Sequence, residues 1–268
     1  MTELSPDALL DLARAAALAG GEVLDAHFGK MRDDAVRQKA LGDYASQADL
    51  AAEEAIAAVL ATAGDAYGFL GEETGTRQAE AERRWVVDPL DGTSNFIWGI
   101  PYFAVSIALC DGDGEILGVV YDPLRQEMFT AIRGAGARLN GVPLPRLREK
   151  KPQDAILSLS LPVRGQLKAI GREAFFKGLD RVADMTAGVR RLGSAALDLA
   201  YIGAGRLDGY FEDGLSYYDY AAGKLVAEEA GAHVTDLFGK RPGEGSIVAG
   251  PAGIHRWLRE EMFVPAAT

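Results

Sequence analysis

The chain opens on a long helical pattern. Ser5-Pro6-Asp7 reads as an N-cap, a proline at the first helical position and an acidic first turn. The Ala/Leu-rich run behind it predicts a helix to about His27, ended near Gly29. Ala52, Ile56, Val59 and Leu60 recur at helical spacing and predict a second helix over 48–61. The pattern then shortens. Residues 67–70 and 85–87 are apolar runs that flow straight into acids, and they predict strands with carboxylates at their C-terminal ends. Four more strands are predicted over 103–110, 115–121, 127–132 and 136–139. Turn residues at 111–114, Asp122-Pro123 and Arg133-Gly134 separate them, which predicts an antiparallel meander.

Residues 141–152 are framed by prolines and carry Arg146, Arg148, Lys150 and Lys151. Beyond them strands (155–160, 189–192, 208–212, 246–249) alternate with helices (166–184, 194–203, 217–230, 253–262). The first half therefore reads as α+β and the second as α/β, with helix and sheet layers alternating. The basic stretch is the expected junction, giving subdomains over 1–145 and 146–268.

Composition narrows the function classes. The 268 residues hold 28 Lys+Arg against 39 Asp+Glu, a formal net charge of −11. Nonspecific nucleic-acid binding needs a basic surface and is not expected. With 48% hydrophobic residues the bulk of the chain is not disordered. The longest strongly apolar run, 102–110, falls short of the ~18–20 residues of a membrane span. The acidic N-terminus does not read as a signal peptide. A lone cysteine, Cys110, allows no intrachain disulfide, and a reducing cytoplasm is the expected compartment. His27, His233 and His255 are widely spaced and read as surface or core histidines.

The segment that carries chemistry is Trp85-Val-Val-Asp88-Pro-Leu-Asp91-Gly-Thr93-Ser-Asn95. A buried strand ends, and two carboxylates follow three residues apart around a proline, with glycine next. Two Asp side chains at about 4 Å repel by roughly 4 kcal/mol at an effective dielectric near 20, so a cation belongs between them. Hard oxygen donors with no His or Cys nearby favour Mg²⁺, with Mn²⁺ or Ca²⁺ behind it. Turn formation alone is the competing reading of Asp-Pro and Asp-Gly. Five further acids at three places stand against that: Glu72-Glu73 at another strand end, Asp219 in the first turn of a predicted helix, and Asp43 and Asp49, which flank Tyr-Ala-Ser-Gln-Ala at the approach to the second helix. Arg191-Leu-Gly193-Ser194-Ala195-Ala196 opens a helix whose N–H groups suit an anion; a simple Ser194 cap is the alternative.

Glu72-Glu73, Asp88-Pro-Leu-Asp91-Gly-Thr93 and Asp219 with Ala221-Ala222-Gly223 together resemble the inositol monophosphatase family of Mg²⁺-dependent, lithium-sensitive phosphatases. The likeness runs from about Asp43 to Ala230. It implies a layered αβαβα sandwich of the inositol monophosphatase and sugar phosphatase type. It also implies hydrolysis of a phosphate monoester by direct in-line attack of water, with two to three Mg²⁺ ions and a homodimeric assembly. By resemblance, Glu72, Asp88, the Leu90 carbonyl and Thr93 surround a first metal. Asp88, Asp91 and Asp219 hold a second, and a third, weaker ion lies near Glu72. Thr93 with Asp49 orients and deprotonates the water, and Glu72 shares in catalysis. Substrate contacts fall to Asp91, Gly92, Thr93, Gly193, Ser194, Ala195, Glu212 and Asp219. Lys39 precedes Asp43 where family members often carry a lysine near the site.

Two positions depart from the family pattern: Trp98 where many members have His, and Tyr218 where many have Trp. Neither is an implied metal ligand, so the departures bear on the leaving alcohol. Inositol 1-phosphate is the expected substrate, among small phosphorylated polyols and sugars. Histidinol phosphate, fructose 1,6-bisphosphate and 3′-phosphoadenosine 5′-phosphate are alternatives with the same chemistry. A binding role in transcription antitermination is the alternative of another kind.

Overall fold

A computed structural model of the chain describes residues 4–30, 47–243 and 245–264. Helix α1 (Pro6–His27) begins as its sequence dictates, with Ser5 Oγ accepting the Ala8 N–H at 3.2 Å. Helix α2 (Gln47–Leu60) packs beside it. An eight-stranded sheet follows in the order β2-β1-β3-β4-β5-β6-β7-β8. Its strands are β1 (Tyr67–Gly71), β2 (Gly75–Arg77), β3 (Arg83–Asp91), β4 (Ala104–Asp111), β5 (Gly114–Asp122), β6 (Glu127–Ile132), β7 (Gly136–Leu139) and β8 (Val142–Pro143). The predicted meander is β4 to β7, with antiparallel pairing throughout. A short helix, α3 (Thr93–Ile97), lies between β3 and β4.

The second sheet has five strands in the order β10-β9-β11-β13-β12. They are β9 (Ile156–Leu159), β10 (Gly188–Arg190), β11 (Gly209–Leu215), β12 (His233–Thr235) and β13 (Gly245–Gly250). The remaining helices are α4 (Arg172–Met185), α5 (Ala195–Gly203), α6 (Tyr217–Glu229) and α7 (Ala252–Trp257).

Side-chain alternation stacks these elements. On β3, Trp85 and Val87 join α1 and α2 in one core, while Val86 joins α5 and α6 in another. On the second sheet Tyr210, Ile247 and Ala249 face α5 and α6; Phe211 and Val248 face α4 and α7. The layers run helix, sheet, helix, sheet, helix, the αβαβα sandwich that the resemblance implies. The α5–α6 layer is covered on both sides. Its alanine content (Ala195, Ala196, Ala200, Ala221, Ala222, Ala227) keeps it thin enough to lie between two sheets.

Several elements differ from the sequence expectation. The helix predicted over 166–184 starts only at Arg172. The residues before it wrap around a buried carboxylate instead: Asp213 Oδ2 accepts the N–H groups of Lys168, Ala169 and Ile170. Strands β2, β8 and β12 and helix α3 are all five residues or shorter, and none was read from the pattern. The closing helix loosens into a wider turn at Leu258–Met262. Among the described residues, no helix is long and apolar enough to cross a membrane.

Candidate active site

In a regular strand, residues three apart point to opposite faces, so Asp88 and Asp91 ought to diverge. A bulge prevents this. Asp88 pairs with Ser106 and Asp91 with Ala104, so three steps on β3 match two on β4. Pro89, which has no N–H to give to the ladder, sits inside the bulge. The slip shows in the packing: Val87 and Leu90 both lie in the α1–α2 core. Asp91 accordingly meets the start of α5, on the same side as Val86.

The carboxylates brought together are unlike surface acids. Asp88 and Asp91 are buried. Burial raises the pKa of Asp88 well above the usual range, and repulsion from Glu72, Asp91 and Asp219 adds to it. Hydrogen bonding with Glu72 raises Asp88 further. Asp219 is raised by burial and by Asp91, Glu72 and Glu212, against one N–H bond from Ser216 at 2.6 Å. Burial lifts Asp91 to about 7 even though Ser194, Ala196 and Ala195 donate to it. Three elements thus press like charges into one spot, the β1–β2 turn, the β3 bulge and α6, while the N-terminus of α5 donates hydrogen bonds to Asp91.

As they stand, no three His, Cys, Asp or Glu side chains among the described residues are set in ligating geometry. The donor set nonetheless suits a hard divalent cation. It is all oxygen, its centre at Asp88 and Asp91 is buried, and Glu72 leaves one side open to solvent, from which a cation could enter.

The turn after the bulge is equally specific. Thr93 Oγ1 donates to the Leu90 carbonyl at 3.1 Å, and the Leu90 N–H donates to Asp88 Oδ1 at 3.0 Å. Gly92 has φ 100°, and an added Cβ would stand 3.1 Å from the Tyr102 carbonyl and 3.2 Å from Phe103 Cα. Gly92→Ala is expected to cost about 1–3 kcal/mol, from left-handed strain plus the clash. Urea unfolding should show it as a lower midpoint at unchanged slope, and an unchanged midpoint would contradict it.

The helix start expected to cradle an anion already holds one. Ser194 Oγ donates to Asp91 Oδ2 at 2.5 Å, and the Ala196 and Ala195 N–H groups donate to Asp91 at 2.7 and 3.2 Å. Ser194 is also the N-cap, accepting the Leu197 N–H. Gly193 takes φ 91° just before it. Asn95, buried at the end of the motif, donates to the carbonyls of Tyr102 (2.7 Å) and Leu192 (2.8 Å), which ties the motif to this helix start. Behind it lies Asp198. It accepts the Tyr102 and Ser158 hydroxyls, each at 2.7 Å, and burial lifts its pKa to about 8. Glu212 accepts Tyr210 Oη at 2.5 Å and Gln166 Nε2 at 3.0 Å. Burial raises it too.

The sequence motif contains Asn95 but does not by itself give it a role, and Asp198 belongs to no motif, although an Asp among Ala and Leu in a helix is a visible anomaly. Asp49 is buried in the first turn of α2. Lys39 and Asp43 lie outside the described residues. Trp98 is 74% exposed, whereas Tyr218 is half-buried beside Asp219. Cys110 is buried and its thiol pushed up to about 12, so it is no nucleophile at neutral pH. His255 is buried against Thr235 and lowered to about 4, a core histidine.

The chain matches the profile described as the inositol monophosphatase family over residues 5–265. It is 44% identical to an inositol-1-monophosphatase of Mesorhizobium japonicum over 267 residues, 98% of each chain. It is 42% identical to a Nus factor SuhB of Pseudomonas aeruginosa over 248 residues, 90% of this chain and 91% of that one. The crystal structure of extragenic suppressor protein suhB from Bartonella henselae superposes with a TM-score of 0.85 at 38% identity, covering 94% of this chain and 97% of the other. The chain belongs to the inositol monophosphatase family and, with it, to the phosphoric ester hydrolases.

Proposed function

We propose that this phosphatase hydrolyses monophosphates of small polyols and sugars, inositol 1-phosphate foremost, with two to three Mg²⁺ ions, for which Mn²⁺ can substitute. The observation that carries this is the cluster of Glu72, Asp88, Asp91 and Asp219, in which burial raises the pKa values of the three aspartates and Glu72 adds to the repulsion on Asp88 and Asp219. When bound, the cations neutralise the phosphate and lower the pKa of water. Glu72, Asp88, the Leu90 carbonyl and Thr93 hold the first ion; Asp88, Asp91 and Asp219 hold the second, and Glu72 borders a third.

Thr93 and Asp49 orient the attacking water and accept its proton. Were Asp91 to turn to a bound cation, it would release the Ser194 hydroxyl and the Ala195 and Ala196 N–H groups, and the helix start at Gly193, Ser194 and Ala195 would then be open to phosphate oxygens. Gly92 keeps that approach open. Glu212, fixed by Tyr210 and Gln166, accepts a hydroxyl of the leaving alcohol. The same reading makes the enzyme a lithium-sensitive homodimer of the cytoplasm, acting on no nucleic acid.

The test is phosphate release with Mg²⁺ from inositol 1-phosphate, histidinol phosphate, fructose 1,6-bisphosphate and 3′-phosphoadenosine 5′-phosphate, each with an EDTA control. EDTA-sensitive release with the highest kcat/KM for inositol 1-phosphate is expected. A tenfold preference for another ester reassigns the substrate, and no EDTA-sensitive release from any of them refutes the reading. A second reading, a role in transcription antitermination, draws on relatives named Nus factor SuhB. Retention of RNA polymerase on the immobilised protein, unaffected by Asp91→Asn, would support it.

A further inference from the structure

Helix α2 carries a second buried acid one turn beyond Asp49. Glu53 is fully buried, and it lies outside the cluster described above. Both its oxygens are used. Oε2 accepts the Glu73 N–H at 2.9 Å, and Oε1 accepts the Thr74 N–H at 2.9 Å. These two amides belong to the β1–β2 turn, directly after Glu72. The Glu72 N–H itself donates to the Val87 carbonyl at 3.1 Å, on the strand that runs into the bulge. The turn is therefore clamped twice, to β3 at residue 72 and to α2 at residues 73 and 74.

Gly71 completes the clamp from the other side. A Cβ there would stand 2.6 Å from Glu53 Oε1, closer than real Cβ atoms come. Glycine at 71 is what lets a carboxylate lie flat against the end of β1. The geometry sets a side chain with two acceptors, and no donor, against two N–H groups. A glutamine amide reproduces one bond and turns an NH₂ toward the other N–H, leaving a buried donor without an acceptor.

We infer that Glu53 is a positioning residue for the metal site: it sets the β1–β2 turn so that Glu72 meets Asp88 at the distance a shared cation requires. The inference rests on the metal-dependent reading above. Partners that orient metal ligands typically matter 10–100-fold in metal affinity. Glu53 does this through the backbone, one and two residues from the ligand, and from the same helix that delivers Asp49. One helix thereby fixes two parts of the site relative to each other.

The experiment is calorimetric titration of Mg²⁺ into metal-free protein, wild type against Glu53→Gln, Gly71→Ala and, as a control, the exposed neighbour Glu54→Gln. Circular dichroism verifies that each variant is folded. Gly71→Ala displaces the Glu53 carboxylate from the opposite side, so it carries the test if Glu53→Gln does not fold. The expected result is a Mg²⁺ dissociation constant raised about 10–100-fold in both variants and unchanged in the control. Their kcat should recover toward wild type as Mg²⁺ is raised, a split that loss of global stability does not produce. Mg²⁺ affinity within twofold of wild type in a folded Glu53→Gln or Gly71→Ala protein overturns the inference. A wild-type protein that takes up no Mg²⁺ overturns the metal-site reading, and this inference with it.

Discussion

Asp91→Asn is expected to lower kcat by about 10³-fold or more, equivalent to roughly 4 kcal/mol of transition-state stabilisation, while the protein stays folded. The reasoning starts at the bulge. Asp91 is the acid that the slip in β3 turns toward α5, and it is the one gripped by Ser194, Ala195 and Ala196. An amide in its place removes a negative charge from among Asp88, Asp219 and Glu212, which lessens repulsion in the metal-free protein. Its carbonyl oxygen still accepts from the helix start, so much of the local hydrogen bonding survives. What it cannot do is bring a full charge to a cation. The measurement is kcat at saturating Mg²⁺ beside the thermal midpoint of each protein. A variant within tenfold of wild-type kcat would remove Asp91 from the mechanism. A collapsed midpoint would mean that its role is structural.

The second large effect is on stability. Asp91 and Asp198 titrate near 7 and 8 in the folded protein, above the ~3.9 of an unfolded Asp. Folding therefore binds protons, and the stability these two acids contribute is fully present below about pH 3.9 and is lost as pH rises through 7 and 8. His255 acts in the opposite sense: lowered to about 4, it costs stability as pH falls below its ordinary 6.5. Between pH 6.5 and 8 only the acids act. In EDTA the thermal midpoint should therefore fall across that window.

Mg²⁺ binds the ionised acids of the cluster and reverses the trend for Asp91, but not for Asp198. At 100 times the dissociation constant it adds about 2.7 kcal/mol, or roughly 5–10 °C in Tm. The gain should be larger at pH 8 than at pH 5.5, because at low pH the cation competes with protons. Melting curves at the two pH values, with Mg²⁺ and with EDTA, check both statements. A gain that is equal or larger at pH 5.5 would contradict them.

Much of the architecture was legible because it is periodic. Strands β4 to β7 alternate or run apolar between strong turn signals, and α1 carries its cap on its face. What escaped depends on partners far away in the chain. The residues before α4 are held by Asp213, more than forty positions later, so local helical pattern misreads them. The acidic motif was legible as a motif, by resemblance, yet the reason a three-residue spacing works is a bulge that only pairing with β4 creates. The helix start at Ser194 was legible as an anion site. That its anion is Asp91, over a hundred residues earlier, was not. Glu53 was invisible for the same reason: an acid in a helix reads as solvated until the turn it fastens is placed beside it.

The middle helical layer has a consequence for how the protein is made. The first sheet is complete at β8, and among the described residues the helices that cover the face bearing Val86, Ala104, Ala108, Val120 and Phe129 are α5 and α6. Helix α6 ends at Glu229, 86 residues beyond Pro143 at the end of β8. At about 5–20 residues per second, a ribosome needs roughly 5–20 s to supply that cover. During that interval the apolar residues of this sheet face have no partner on the nascent chain. A holding chaperone would find its binding surface there, and a stalled or truncated product would aggregate through it.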